Sequence, residues 1–247
     1  MTARALKYLP LLMLALLWEF ISRTGLVSSS ALPSLVDVGA AWWGLARDGE
    51  LWTNAQSSLW RIGAGLSCAI VLGVLLGVAM AWWRIADLVL GPFVEIFYPL
   101  PKSALIPVTA LWLGFGDGSK ILLIALGCML PVTMGAYNGA RSADRTLVWS
   151  ARSMGASRLR MLRDVVLPSA LPELLSGIRT AIAISFVLLI ASELIVSRAG
   201  FGYLIGFLGS NGTYEPMFAV VLSVAALGFI ADRLFQAMTK RVFAWRE

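Results

Sequence analysis

The sequence predicts an all-α integral membrane protein with six transmembrane helices. Three observations predict it: an oily composition, six long apolar runs and a lopsided distribution of basic residues. Of 247 residues, 59% are hydrophobic and only 14% charged, whereas a soluble domain carries about a quarter charged residues. The formal net charge of +6 suits the cytoplasmic loops of a membrane protein better than a nucleic-acid surface, so no nucleic-acid partner is expected. The chain has no histidine, which removes imidazole acid–base chemistry and the commonest metal ligand. Cys68 and Cys128 lie in apolar runs without disulfide or metal spacing and read as small buried hydrophobes. No catalytic residue and no metal site are expected.

A helix needs about 20 mostly apolar residues to cross a bilayer. The first run, about 8–21, follows Arg4 and Lys7 and is interrupted by Glu19. With no small-residue cleavage site after it, it reads as an uncleaved anchor. Residues 22–55 form the longest external segment. Pro33-Ser34 opens a helical pattern over 35–45, with Val38, Ala41, Trp42 and Leu45 on one side. Trp42, Trp43 and Trp52 suit the headgroup region, so this is an expected interfacial helix, and 1–61 form an N-terminal part.

The second run, 62–82, carries a Gly73-x-x-x-Gly77 spacing suited to close helix packing. The third, 88–113, is interrupted by Pro92, Pro99, Pro101 and Pro107 and predicts a broken span. The fourth, fifth and sixth cover 121–137, 178–196 and 217–238. Six spans put both termini on one side. Arg4, Lys7, Arg84, six arginines between 141 and 163, Arg233, Lys240, Arg241 and Arg246 fall on that side, 13 in all. Arg23, Arg47, Lys120 and Arg198, four residues, fall on the other. Both termini and the 141–172 loop are therefore expected in the cytoplasm.

That loop is the polar anomaly of the chain. Gly155 separates two short helical stretches and can supply the backbone geometry of a sharp turn. Ser157 is the expected N-cap of the second stretch, in which Leu159, Leu162 and Val166 form one apolar stripe. Pro168 should stop this helix, and Pro172 should delay the next until the fifth span. A basic loop of this kind also suits lipid headgroups alone, so composition does not decide its role.

Spacing does. Gly155, nine residues, Val165, one residue and Leu167-Pro168 reproduce the "EAA" motif, EAA-x3-G-x9-I-x-LP. The chain thereby resembles the membrane subunits of binding-protein-dependent ABC importers of the type I fold. Pro101-x-x-Ala104-Leu105-Ile106-Pro107, Leu111-Trp112-Leu113-Gly114-Phe115-Gly116, Gly177-x-Arg179, Ser192-Glu193-Leu194-Ile195 and Gly200-Phe201-Gly202-Tyr203-Leu204-Ile205 are similar to the nitrate/sulfonate/taurine branch. One departure stands out: Trp149-Ser150 replaces the leading Glu-Ala, and only Ala151 is kept.

The resemblance implies a transmembrane domain over 54–238. It also implies that 141–172 is a coupling loop seated in a groove of a cytoplasmic ATPase dimer. Ala151, Arg152, Gly155, Ala156, Ser157, Leu159, Leu162, Val165, Leu167 and Pro168 would form that contact, with Leu159 and Leu162 filling the groove. ATP and Mg would be bound by the ATPase, leaving this chain without a cofactor; it contains no phosphate-loop motif. Further partners would be an extracytoplasmic solute-binding protein, a second permease subunit in a homodimer, and membrane lipid. The implied location is the bacterial cytoplasmic (inner) membrane, and the implied cargo a sulfonate, nitrate, taurine or a vitamin-precursor-like molecule.

Ionisable residues at membrane depth are functional candidates by default. Lys102, in the broken third span, either attracts an anionic solute or pairs with Glu95 or Glu193; Glu193 is the second candidate for the translocation path. Glu19 and Arg179 lie where they could reach the interface. The alternative is a secondary transporter driven by an ion gradient. One motif loop and no internal repeat favour the half-transporter.

Overall fold

The computed structural model describes residues 9–28 and 30–243. Arg4, Lys7 and Arg246, three of the basic residues assigned to the cytoplasmic side, lie outside the described residues, as does the start of the first span at Tyr8. Every described regular element is a helix. In chain order these are α1 (Leu9–Arg23), α2 (Leu35–Arg47), α3 (Glu50–Trp82), α4 (Arg84–Phe97), α5 (Ile106–Leu113), α6 (Asp117–Arg141), α7 (Arg145–Ser153), α8 (Arg158–Met161), α9 (Leu167–Val196), α10 (Phe201–Ser210) and α11 (Tyr214–Val242).

Four helices are long and apolar enough to cross a bilayer: α3 with 33 residues, α6 with 25, Arg158–Val196 with 39 and α11 with 29. A fifth span is formed if α4 and Lys102–Leu113, bent by 96°, are taken together. The described part of the first expected span, α1, has 15 residues. The four prolines of the third run do different work. Pro92 stays inside α4, Pro99 and Pro101 occupy the break, and Pro107 lies in the first turn of α5, where a missing N–H costs nothing.

The expected stop at Pro168 is not there. Leu162–Val166 form a single π turn, in which the Leu167 N–H donates to the Leu162 carbonyl, and α9 runs on with Pro172 inside it. Widening the turn just ahead of a proline relieves the clash between its ring and the preceding turn. The fifth span therefore continues directly from the 141–172 loop.

The described residues form two compact units, one built from those up to Ser58 with Glu193–Leu227, the other from Leu59–Ser192 with those from Gly228 on. In the first, Ser34 caps α2 by accepting the Asp37 N–H. Glu19 is not a solvated span end: it pairs with Arg23 at 2.6 Å and accepts the Leu35 N–H at 2.8 Å, tying α1 to α2. Trp18 donates to the Pro33 carbonyl and packs edge-on against Phe218 at 5.5 Å. Trp42, expected among headgroups, donates to Ser223 of α11 at 3.0 Å, while Trp43 stays exposed. The cost of an unmet indole N–H decides those positions.

In the second unit, small residues bring backbones together. A Cβ on Gly65, Gly73 or Gly77 of α3 would lie within 3 Å of Ile124, Val132 or the Thr133 carbonyl of α6. Gly135 of α6 faces Gly177 of α9, and Gly139 faces Ala170. The glycine spacing of the second run is thus an α3–α6 contact, as expected for helices held by van der Waals packing.

Candidate coupling element and translocation site

The loop at 141–172, the candidate coupling element, is built from local capping. Asp144 starts α7 by accepting the Thr146 N–H at 2.8 Å. At its other end Gly155 takes φ +80°, and its N–H donates to the Arg152 carbonyl while the Ala156 N–H reaches back to the Ala151 carbonyl. These two bonds make a Schellman motif, which satisfies the last carbonyls of α7 and reverses the chain. Ser157 then accepts the Arg160 N–H and begins α8. The expected helix–glycine–Ser-cap–helix order is what the chain adopts.

The apolar stripe divides. Val166 is buried with Ala140 and Ala170, and Leu162 packs on that cluster beside Trp82. Leu162 is thereby occupied within its own chain and only Leu159 of the pair faces outward. The strongly exposed apolar side chains are Leu147, Trp149, Met154 and Leu159, at 54, 66, 81 and 75%. Arg152, Gly155, Ser157, Leu167 and Pro168 are exposed, and Ala151, Ala156 and Val165 half-buried. The loop's root is tied by Arg141, which donates to the Tyr137 hydroxyl, while Tyr137 donates to Asp87 of α4 at 3.2 Å.

Lys102 lies just past the break after α4. Its ammonium donates to the Tyr98 carbonyl and stands 5.7 Å from the Tyr98 ring. It makes no ion pair among the described residues, so the expected pairing with Glu95 or Glu193 gives way to a freed carbonyl. Lys102 also lines a cavity of about 260 Å³, otherwise walled mainly by Met80, Phe93, Phe97, Met129 and leucines. Glu193 is fully buried. It accepts the Ser58 hydroxyl and the Gly202 N–H at 2.9 Å, at the start of α10, and Gly200 passes so close that a Cβ there would meet the carboxylate at 2.3 Å.

Three charged positions were not legible as sites. Lys120, read as an outside charge, is 1% exposed and donates to the Phe115 and Gly116 carbonyls. Arg61 is buried beside Asp117, 2.7 Å away. Arg179 does not reach the interface alone: it holds Asp232 of α11 by two bonds, at 2.6 and 3.1 Å. A carboxylate and a guanidinium within two apolar runs were the available signal.

A broken span, a loop of two capped helices and, among the described residues, no regular element but helix define a multi-pass membrane protein. The chain belongs to the family of binding-protein-dependent transport system inner membrane components, which it matches over residues 69–244. It is therefore a permease subunit of an ABC importer, a transport component rather than an enzyme; in such importers ATP is bound by a partner ATPase. It is similar to the taurine transport system permease protein TauC of Escherichia coli (strain K12), with 34% identity over 80% of this chain and 72% of the relative. The putative aliphatic sulfonates transport permease protein SsuC of Bacillus subtilis (strain 168) is 32% identical over 96% of this chain and 86% of its own. Among solved structures, an amino acid ABC transporter matches at TM-score 0.63 and 16% identity, over 82% of this chain and 96% of that one. The inward-facing MetNI methionine transporter matches at 0.58 and 22%, over 79% and 96%. These two show a shared fold.

Proposed function

We propose that this permease carries a small organic or inorganic oxoanion of the sulfonate, taurine or nitrate kind, or a vitamin-precursor-like molecule, delivered by an extracytoplasmic binding protein. It works as a homodimer in the bacterial cytoplasmic membrane, both termini in the cytoplasm, with 54–238 as its transmembrane domain. The loop at 141–172 seats on the ATPase through Ala151 to Pro168, and Leu147, Trp149, Met154 and Leu159 present its exposed apolar surface. The observation that carries this reading is the Schellman turn at Gly155, which fixes a bent, exposed helical pair at the motif position. ATP binding would draw two such elements together and bias the subunits between inward- and outward-open arrangements, a rigid-body switch driven by differential nucleotide binding.

Reconstitution tests it. Uptake of labelled alkanesulfonate or taurine into proteoliposomes should require ATP, the ATPase and the binding protein together; uptake on an ion gradient without the ATPase overturns it. Lys102, the cation at the apolar cavity, is the proposed attraction for the anionic head. Lys102→Met should raise the half-saturating concentration about tenfold or more, the scale of one charge-assisted hydrogen bond. An unchanged value removes Lys102 from the path.

A further inference from the structure

The helix pair tied by Arg179 and Asp232 flanks an open cleft of about 290 Å³, between α9 and the last turns of α11. Its polar lining includes Ser176, Arg179 and Lys240, and its apolar walls include Leu175 and Phe235. We propose that this cleft is a binding site for an acidic phospholipid, holding the phosphodiester between Lys240 and Arg179 and an acyl chain against Leu175 and Phe235.

Three observations converge on that occupant. The first is donor chemistry. Asp232, the nearby carboxylate, is already engaged by two Arg179 bonds and by the Gln236 amide. Arg179 keeps further N–H groups, and among the described residues the Ser176 hydroxyl makes no hydrogen bond and the exposed Lys240 neither a hydrogen bond nor an ion pair. Charge comes second. Arg179, Asp232 and Lys240 sum to one net positive charge, which matches a phosphodiester whose lipid carries no compensating amine. Geometry comes third. Both helices are spans, and Asp232 to Lys240 covers about 12 Å of helix, so the cleft runs along the bilayer normal, as a lipid does. Basic clefts between transmembrane helices hold acidic headgroups in this way. A free oxoanion would use the donors and leave the apolar walls unmatched.

The permease with its ATPase, reconstituted in bilayers containing spin-labelled lipid, supplies the test. Spin-labelled phosphatidylglycerol should be immobilised in preference to phosphatidylcholine, and Lys240→Gln should reduce that preference about fivefold. Lys240→Arg should keep it. Arg241→Gln, which removes a neighbouring charge outside the cleft lining, should also leave it unchanged. The proposal fails if wild type shows no preference, or if Lys240→Gln and Arg241→Gln lower it equally, which would mean diffuse surface charge. It fails too if millimolar methanesulfonate or inorganic phosphate displaces the lipid signal at constant ionic strength, which would mean a site for soluble anions.

Discussion

Gly77→Leu is expected to leave almost no folded permease in the membrane, whereas Gly63→Leu on the same helix should be nearly silent. The difference lies in what each side chain meets. A Cβ at Gly77 would stand 2.4 Å from the Thr133 carbonyl oxygen and 2.7 Å from the Ala136 Cβ, both on α6. At Gly63 nothing lies within 4 Å. The atoms at Gly77 belong to a helix backbone and a methyl group that have no rotamer to change, so α3 and α6 must separate along several turns. Overpacking a core ordinarily costs about 1–3 kcal/mol; forcing two backbones apart also forfeits the contacts at Gly65 and Gly73. In lipid, no hydrophobic gain compensates for a helix pair that has lost its packing. Size-exclusion of detergent-extracted protein, with thermal midpoints, reads the result. Equal monodisperse yield for Gly77→Leu and Gly63→Leu would contradict the close α3–α6 approach.

How much of this could be read in the residues depended on the range of the interaction. The apolar runs predicted the long helices, but α3 begins at Glu50 rather than 62 and α9 at Leu167 rather than 178, since residues outside the apolar segment continue the same helix. The loop's order of helix, Gly155, Ser157 and helix was equally legible, because a left-handed turn and an N-cap are local demands that single residue types satisfy. What failed was set by partners far along the chain. Leu162 belongs to a regular stripe, yet whether that stripe faces a neighbour in the same chain or another protein depends on Ala140 and Ala170. Lys120 obeyed a charge-sidedness rule that says nothing of burial; the carbonyls exposed by the glycine-rich turn before α6 took it inside. Pro168 follows a reliable breaker rule, but one π turn accommodates it, and residue type alone does not announce that turn. Lys102 found the carbonyl of its own broken helix, a partner created by the break itself.

The second large effect is expected at the coupling loop, without loss of the folded protein. Gly155→Val places a β-branched residue at φ +80°, where the left-handed conformation costs about 1–2 kcal/mol and more for branched side chains. No atom lies within 4 Å of the new Cβ, so the strain is in the backbone alone, and the loop can escape it only by losing the Schellman turn. The permease should remain stable in detergent while ATP-driven uptake falls about tenfold or more, and Gly155→Asn, which tolerates this conformation, should retain more. Trp149 tests the contact surface rather than the bend. It stands where the motif carries Glu, and it is 66% exposed. Buried in a partner's groove, an indole contributes about 2–3 kcal/mol by area, so Trp149→Glu should weaken ATPase association by roughly 30- to 100-fold. The new carboxylate would instead find Arg145 and Arg152 at helical spacing on α7, worth only about 0.2–0.5 kcal/mol each. Trp149→Phe should preserve most of the affinity. If pull-down of the ATPase is the same for Glu, Phe and Trp at 149, the indole lies outside the groove and the grip falls to Met154 and Leu159, whose truncation to Ala should then produce the loss.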